Sequence, residues 1–279
     1  MELHSVAHDG YRLWAGEQPG KGPGIVLMHG MPDNHHLYDR LLPHLGDRHV
    51  VTFDFLGFGE SDKPSGAVYT ADEQTRQLDS VIEGVGLERV ILVAHDASGP
   101  PAIDWALAHP ERVERLVLLN TYYSSMRSLH APQAVWLYST PVVRLVARWF
   151  ARRFGNRLFR RVYFWQVGRF FRDPKVRDVF LPILYRQFAD VPSAQRAFFG
   201  INRDLRPTLR ARRRRLGDLA RFSRPVRVLF GGADPYLNAR VARDIAGLFP
   251  NAELHLVPSA RHFVQMDDPE RVADEITRN

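Results

Sequence analysis

The stretch VAHDASGPPA, residues 93–102, joins an apolar run of strand character, Val90 to Ala94, to a segment of helical spacing, Gly99 to Ala108. A strand that turns this abruptly into a helix needs small residues around the turn, and Ala94 and Ser98 stand two places before and after Asp96. Such a turn exposes its central side chain. The helix N-terminus behind it favours an ionised carboxylate. Asp96 is therefore a candidate nucleophile, and an aspartate that only caps the helix is the competing reading.

Outward from this turn, apolar runs at Ile25 to Met28, His49 to Phe53, Leu116 to Leu119, Val226 to Phe230 and Leu254 to Val257 alternate with helix-like segments. The helical segments are Thr70 to Gly84, Ala239 to Phe249 and Pro269 to Thr277. This alternation predicts an α/β fold with a mostly parallel sheet flanked by helices. Thr70 and Glu73 make a capping-box start, and Pro110 and Pro250 stop helices. Leu3 to Ala7 and Arg12 to Ala15, joined through Asp9-Gly10, predict a hairpin. From Thr121 to Arg224 the strand pattern lapses, and aromatic and arginine residues recur at helical spacing. The predicted organisation is a core domain, residues 1–121 and 224–279, with a helical, Arg-rich cap domain, residues 122–223, inserted between strands 6 and 7.

Two later segments belong with Asp96. Phe230 to Pro235 (FGGADP) ends a strand with Asp234, at the sheet edge where open α/β sheets assemble their sites. Ser259 to Phe263 (SARHF) puts His262 in a loop before the last helix. Each alone has a plainer reading, Asp234 as a turn residue and His262 as a surface or capping histidine. Together they give the order nucleophile, acid, histidine. With these motifs the chain resembles the α/β-hydrolase superfamily, in the branch of epoxide hydrolases and haloalkane dehalogenases. His29-Gly30-Met31-Pro32 is similar to that branch's HGxP oxyanion loop, Asp54 to Pro64 (DFLGFGESDKP) to its second fingerprint, and His262 to Pro269 (HFVQMDDP) to the stretch around its histidine.

The resemblance implies a two-step hydrolysis without metal or cofactor. Asp96 attacks an sp³ carbon and forms an alkyl ester, and His262, oriented by Asp234, then deprotonates the water that cleaves it. The backbone N–H groups of Met31 and Ala97 would hold the oxyanion. No serine occupies the centre of the turn, which disfavours a serine esterase, and His29, His35 and His36 show no metal-ligand spacing.

The leaving group decides the substrate. Familiar dehalogenases carry a tryptophan after the nucleophile, where this chain has Ala97, so halide would need Trp136, Trp149 or Trp165 from the cap. Epoxide hydrolases use cap tyrosines as acids, and Tyr138, Tyr163 and Tyr185 are the candidates, Tyr138 by its distance from Asp96. Epoxide opening is thus the first expectation and carbon–halogen hydrolysis the second. A third is a fold relative that binds or rearranges a natural product without hydrolysis. Ala97 also leaves room for a bulky substrate.

Composition sets the remaining bounds. The 279 residues, 45% hydrophobic, can bury a sizeable core, and the absence of cysteine excludes disulfides and thiolate chemistry. No signal peptide or membrane span is evident, which predicts a cytoplasmic protein. The net charge of +7 conceals +16 between Arg144 and Arg215 against −9 elsewhere. The run Arg210 to Arg215 (RARRRR) reads first as a solvated helix face. It reads second as a site for an anionic substrate or carrier, and third as a membrane-surface patch; no nucleic-acid-binding module accompanies it.

Overall fold

The computed structural model describes residues 1–130, 135, 140–154, 156–189 and 194–278. It begins with the hairpin of β1 (Glu2–His8) and β2 (Tyr11–Gln18), in which His8 pairs with Tyr11 across a two-residue turn. Asp9 and Gly10 both take positive φ, 47° and 81°, as a tight turn matched to the strand twist requires. Next come β3 (Lys21–Met28), β4 (Arg48–Phe53), α1 (Ala71–Val85), β5 (Val90–Asp96), α2 (Gly99–Ala108) and β6 (Val113–Thr121). The Thr70 side chain accepts from the Glu73 N–H to start α1, and Gly86 in the left-handed region ends it.

Between β6 and β7 the described regular elements are helices: α3 (Pro141–Phe154), α4 (Asn156–Val167), α5 (Pro174–Ala189), α6 (Ala194–Arg213) and the single turn α7 (Leu216–Leu219). The sheet then resumes with β7 (Val226–Gly231), α8 (Ala239–Ala246), β8 (Ala252–Val257), α9 (Val264–Asp267) and α10 (Pro269–Thr277).

The eight strands lie in the order β1-β2-β4-β3-β5-β6-β7-β8, antiparallel at β1-β2-β4 and parallel from β4 through β8. Strands covered on both faces must be apolar throughout. Ile25 to Met28 and Val90 to Ala94 are accordingly all buried, and they pair in register from Ile25 with Ile91 to Met28 with Ala94. The parallel strands β3, β5, β6 and β7 therefore deliver their C-terminal ends to one edge.

The arginine run forms the expected solvated face in part, with Arg210, Arg213 and Arg214 exposed, and departs from it at Arg212 and Arg215. Arg212 is 3% exposed and pairs with Asp104 of α2 at 2.5 Å and Asp72 of α1 at 2.7 Å, while Arg215 reaches Asp104 at 2.8 Å. Part of the run thus anchors α6 to the helices behind the sheet. Removing Asp104 would leave the buried Arg212 guanidinium with the largely exposed Asp72 as its remaining partner, at a cost in stability. Among the described residues, no helix is long and apolar enough to cross a membrane.

Candidate active site

Asp96 closes β5 with φ at 49°, a positive value that a non-glycine residue holds only when its surroundings impose it. Ser98 supplies much of that constraint. Its hydroxyl accepts from the His95 N–H at 2.9 Å and lies 2.8 Å from the His95 carbonyl and 3.0 Å from that of Met28. A Cβ at Gly99 would lie 2.0 Å from Thr121 Oγ1, so only glycine lets the helix start this close to β6. The Asp96 side chain does not cap α2. Its Oδ2 accepts from the Met31 N–H at 3.1 Å, and the Ala97 N–H also favours its ionised form. Burial nevertheless raises the Asp96 carboxyl above its ordinary range, against the opposing pull of His262 and these two N–H groups.

His262 and Asp234 meet at the same edge. The His262 Nδ1–H donates to Asp234 Oδ2 at 2.7 Å, leaving Nε2 as the nitrogen away from that bond. Asp234 Oδ1 accepts from the N–H groups of Tyr236 at 2.8 Å and Leu237 at 3.1 Å. Burial alone would raise Asp234, but His262 and these donors outweigh it and hold the carboxyl below its ordinary value. Burial likewise opposes charge on His262, yet Asp234, Asp96 and Asp33 push the imidazole up to about 9.

Three residues absent from the sequence expectations complete this arrangement. Asn120, at the end of β6, donates to Asp234 Oδ2 at 2.9 Å and accepts from the Gly231 N–H at 2.7 Å. The buried His95 ring donates from Nε2 to the His262 carbonyl at 3.0 Å, so the residue before the nucleophile steadies the loop of the histidine. Asp33 is the third. A Cβ built on Gly30 would lie 3.1 Å from both Asp33 Oδ2 and Asp96 Oδ2, which puts both carboxylates against that glycine. Asp33 Oδ1 has no hydrogen-bond partner among the described residues. Burial first, and the Asp96 charge second, raise Asp33 to about 7. An acidic residue one place past the HGxP pattern was the available signal.

The loop carrying Met31 is braced from both sides. His29 Nδ1–H donates to the Gly30 carbonyl at 2.7 Å while Nε2 accepts from the Phe55 N–H at 3.0 Å, the pattern of a neutral ring, and burial lowers its pKa. From α5, the Gln187 amide donates to the carbonyls of Pro32 at 2.9 Å and Asp33 at 3.1 Å. Behind the loop, Asp54 is fully buried and accepts from the His35 N–H and Nδ1–H, both at 2.7 Å, and from the Glu60 N–H at 2.8 Å. Burial opposes its charge, but His35, His29 and Glu60 outweigh that and hold the carboxyl at about 2, against an unfolded value near 3.8. A depressed acid stabilises the fold above its unfolded pKa. That contribution is lost as pH falls from about 4 to about 2. Asp54→Asn is expected to lower the unfolding free energy by about 2 kcal/mol at neutral pH, read by denaturant titration, and to flatten the acid limb of the stability profile.

His35 serves Asp54, and His36 Nδ1 lies 2.8 Å from Asp39, so the three histidines of this loop do not converge on one point. Among the described residues, the groups with ligand atoms close enough for an ion are Glu2, His4 and Glu17, and His8, Asp9 and Glu73, both remote in sequence from Asp96.

Above Asp96 lies a cavity of about 110 Å³ lined by Met31, Tyr122, Tyr163, Gln166, Tyr236 and His262 among mainly apolar side chains. Its described lining includes no tryptophan, arginine or lysine. Among the described residues, Tyr163 is the expected tyrosine that lines this cavity, with its hydroxyl 3.4 Å from the Pro32 carbonyl. Tyr185 is not among the lining residues; its ring packs on Tyr163 at 5.1 Å and faces a separate cleft with Arg157 and Arg160. Tyr138 and Trp136 lie outside the described residues. Trp149 and Trp165 are exposed, at 58% and 64%. Tyr122, at the end of β6, is a lining tyrosine that proximity to Asp96 and burial keep protonated.

The family model for the α/β hydrolase fold matches residues 23–269. The chain is 28% identical over 264 residues to haloalkane dehalogenase 2 of Mycobacterium bovis, covering 92% of this chain and 87% of that one. It is 29% identical over 274 residues to the haloalkane dehalogenase of Mycobacterium marinum, covering 93% and 85%. Among solved structures, the haloalkane dehalogenase DatA of Agrobacterium tumefaciens superposes with a TM-score of 0.79 at 21% identity, over 99% of this chain and 94% of that one. A meta-cleavage product hydrolase of Pseudomonas fluorescens superposes equally, at 0.79 and 20% identity, over 98% and 95%.

Proposed function

The chain belongs to the α/β hydrolase fold family, and from that premise we propose that it opens an epoxide through a covalent ester on Asp96, beneath a cap formed by residues 122–223. The observation that supports this reading is the lining of the cavity at Asp96: tyrosine side chains, Tyr122, Tyr163 and Tyr236, among mainly apolar ones, with no indole among the described lining residues. An Asp96 oxygen attacks a ring carbon, the ring C–O bond breaks, and the oxygen leaves as an alkoxide that takes a proton from Tyr163 or Tyr122. His262 Nε2 then removes a proton from water, and the resulting hydroxide attacks the ester carbonyl. The Met31 and Ala97 N–H groups stabilise the tetrahedral oxyanion. Its collapse breaks the acyl C–O bond, the departing alkoxide takes the proton of the added hydroxyl to complete the diol, and the Asp96 carboxylate is restored; the proton on His262 returns to the tyrosinate, which closes the cycle.

The cavity also narrows the substrate class. An apolar cavity of about 150 Å³ holds benzene, so a space of about 110 Å³ suits a small apolar epoxide better than a bulky one. The described lining holds no arginine or lysine, which gives no support for an anionic substrate. Carbon–halogen hydrolysis stays as a second reading because both mycobacterial relatives bear that name. Assaying an epoxide panel and a haloalkane panel side by side separates the two: diol formation supports the first, and halide release without diol formation overturns it.

Two variants probe the roles within this reading. Tyr163→Phe is expected to lower the rate of ester formation about 10²-fold, measured by pre-steady-state quench, while leaving ester hydrolysis unchanged. An unaltered alkylation rate would assign the acid elsewhere. Asp33 is proposed to support His262, because its charge raises the imidazole. With Asp33→Asn the imidazole should lose its proton at lower pH, and the rise of ester hydrolysis with pH should move in the acid direction. An unmoved profile would leave Asp33 no part in the reaction.

A further inference from the structure

Helix α3 breaks the rule that an apolar stripe faces a core. Val142, Leu145, Val146 and Trp149 follow the i, i+3, i+4, i+7 spacing of a single helix face, yet they are 69, 71, 47 and 58% exposed. They make up four of the ten large hydrophobics exposed among the described residues, so the exposure is concentrated on this face. Along the chain, the charge next to it is of one sign. Between Glu114 and Asp173 the sequence has no acidic residue and eleven arginines. Arg153 follows the stripe on α3, and Arg157, Arg160 and Arg161 are exposed on α4, which packs against α3. Trp165, farther along α4, is 64% exposed, with the Arg169 guanidinium 5.2 Å from its ring centre.

We propose that α3 is an interfacial helix that docks this protein on an anionic lipid surface. An apolar face with tryptophan on a helix pair, α3 and α4, that carries arginines and no acidic residue matches the boundary between acyl chains and negatively charged headgroups. Fourteen helical residues span about 21 Å. That is short of a bilayer's hydrocarbon thickness, so the helix lies in the plane of the surface. A second copy of the chain is a poorer occupant, because it would bring the same excess of positive charge to the contact. The location also differs from the arginine run at the end of α6, where Arg212 and Arg215 are already paired with Asp104. Docking would have a use for the site: Val162, Tyr163, Gln166 and Val167, on the same helix α4, line the cavity above Asp96. An apolar molecule dissolved in the bilayer would meet this helix pair first. The docking does not depend on which reaction the cavity performs.

The test is flotation of the full chain with phosphatidylcholine vesicles, with and without phosphatidylglycerol, at low salt and at about 0.5 M salt. Binding is expected only with phosphatidylglycerol and should weaken with salt. A Leu145→Glu, Trp149→Glu double variant should lose at least about tenfold in partitioning, with unchanged melting temperature and unchanged turnover of a freely dissolved substrate. Arg214→Gln should bind as the parent does. Equal binding of the double variant, or binding that ignores phosphatidylglycerol, overturns the proposal. So does a failure to bind vesicles combined with a dimer, or a complex with an acidic protein, that the double variant abolishes.

Discussion

Asp96→Ala is expected to remove turnover, by about 10⁴-fold or more in kcat, while leaving the protein as stable as its parent or more stable at neutral pH. The loss follows from the proposed chemistry: without the carboxylate no ester forms, and the residual rate is what binding and backbone donors supply. The stability prediction follows from burial. A carboxyl whose folded pKa is raised favours the folded state below its unfolded pKa and disfavours it as pH rises through the folded value. At neutral pH, Asp96 is therefore a strained group held next to a second buried carboxyl, Asp33. Its removal relieves both desolvation and repulsion, so the difference in unfolding free energy between variant and parent should shrink as the solution is acidified. The paired measurements are kcat on the best substrate and denaturant unfolding at neutral and acid pH. Turnover preserved in Asp96→Ala would move the protein to the non-hydrolytic reading, in which the fold binds or rearranges its ligand without an ester.

Much of this site was legible because its members sit where strands end. Asp96 and Asp234 are flanked by buried apolar runs whose length and spacing mark strands, and the small residues at Ser98 and Gly99 mark the turn. His262 was legible only through its order relative to the other two. What escaped the sequence was contact across the sheet. Asn120 looks like an ordinary polar end to a strand until β7 is laid beside β6 and its amide meets Asp234 and Gly231. Asp33 has only its place after the HGxP pattern to mark it, because what raises its pKa is burial and the Asp96 carboxylate 63 positions away. Spacing likewise made Tyr163 and Tyr185 equivalent candidates, whereas helix packing puts one on the cavity and the other behind it. Within the arginine run the burial of Arg212 escapes for the same reason, since its acids come from α1 and α2, while Arg210, Arg213 and Arg214 stay exposed as expected. On α3 the pattern was readable and its environment was not: the periodicity of a buried stripe belongs here to an exposed one.

His262→Gln should separate the two chemical steps. Glutamine can still donate to Asp234, so the buried carboxylate keeps a partner and the fold should hold, but an amide cannot take a proton from water. Ester formation is expected to proceed while ester hydrolysis falls by about 10⁴-fold. Intact-mass measurement should then show the protein heavier by one whole substrate molecule for an epoxide, since ring opening expels nothing, and by substrate less hydrogen halide for a haloalkane. The same adduct thus identifies the reaction class. In the parent, hydrolysis needs a neutral imidazole, so its rate should rise with pH until His262 has lost its proton. The resting enzyme holds that proton to about 9, partly through the Asp96 charge. Esterification removes this charge, which lowers the imidazole pKa in the intermediate and readies the base once it is needed. Single-turnover hydrolysis should accordingly reach its plateau at lower pH than the titration of His262 in the resting enzyme, followed by NMR of the imidazole. Coincident titrations would mean that Asp96 and His262 do not sense each other's charge. Hydrolysis at the parent rate in His262→Gln would remove His262 from the reaction altogether.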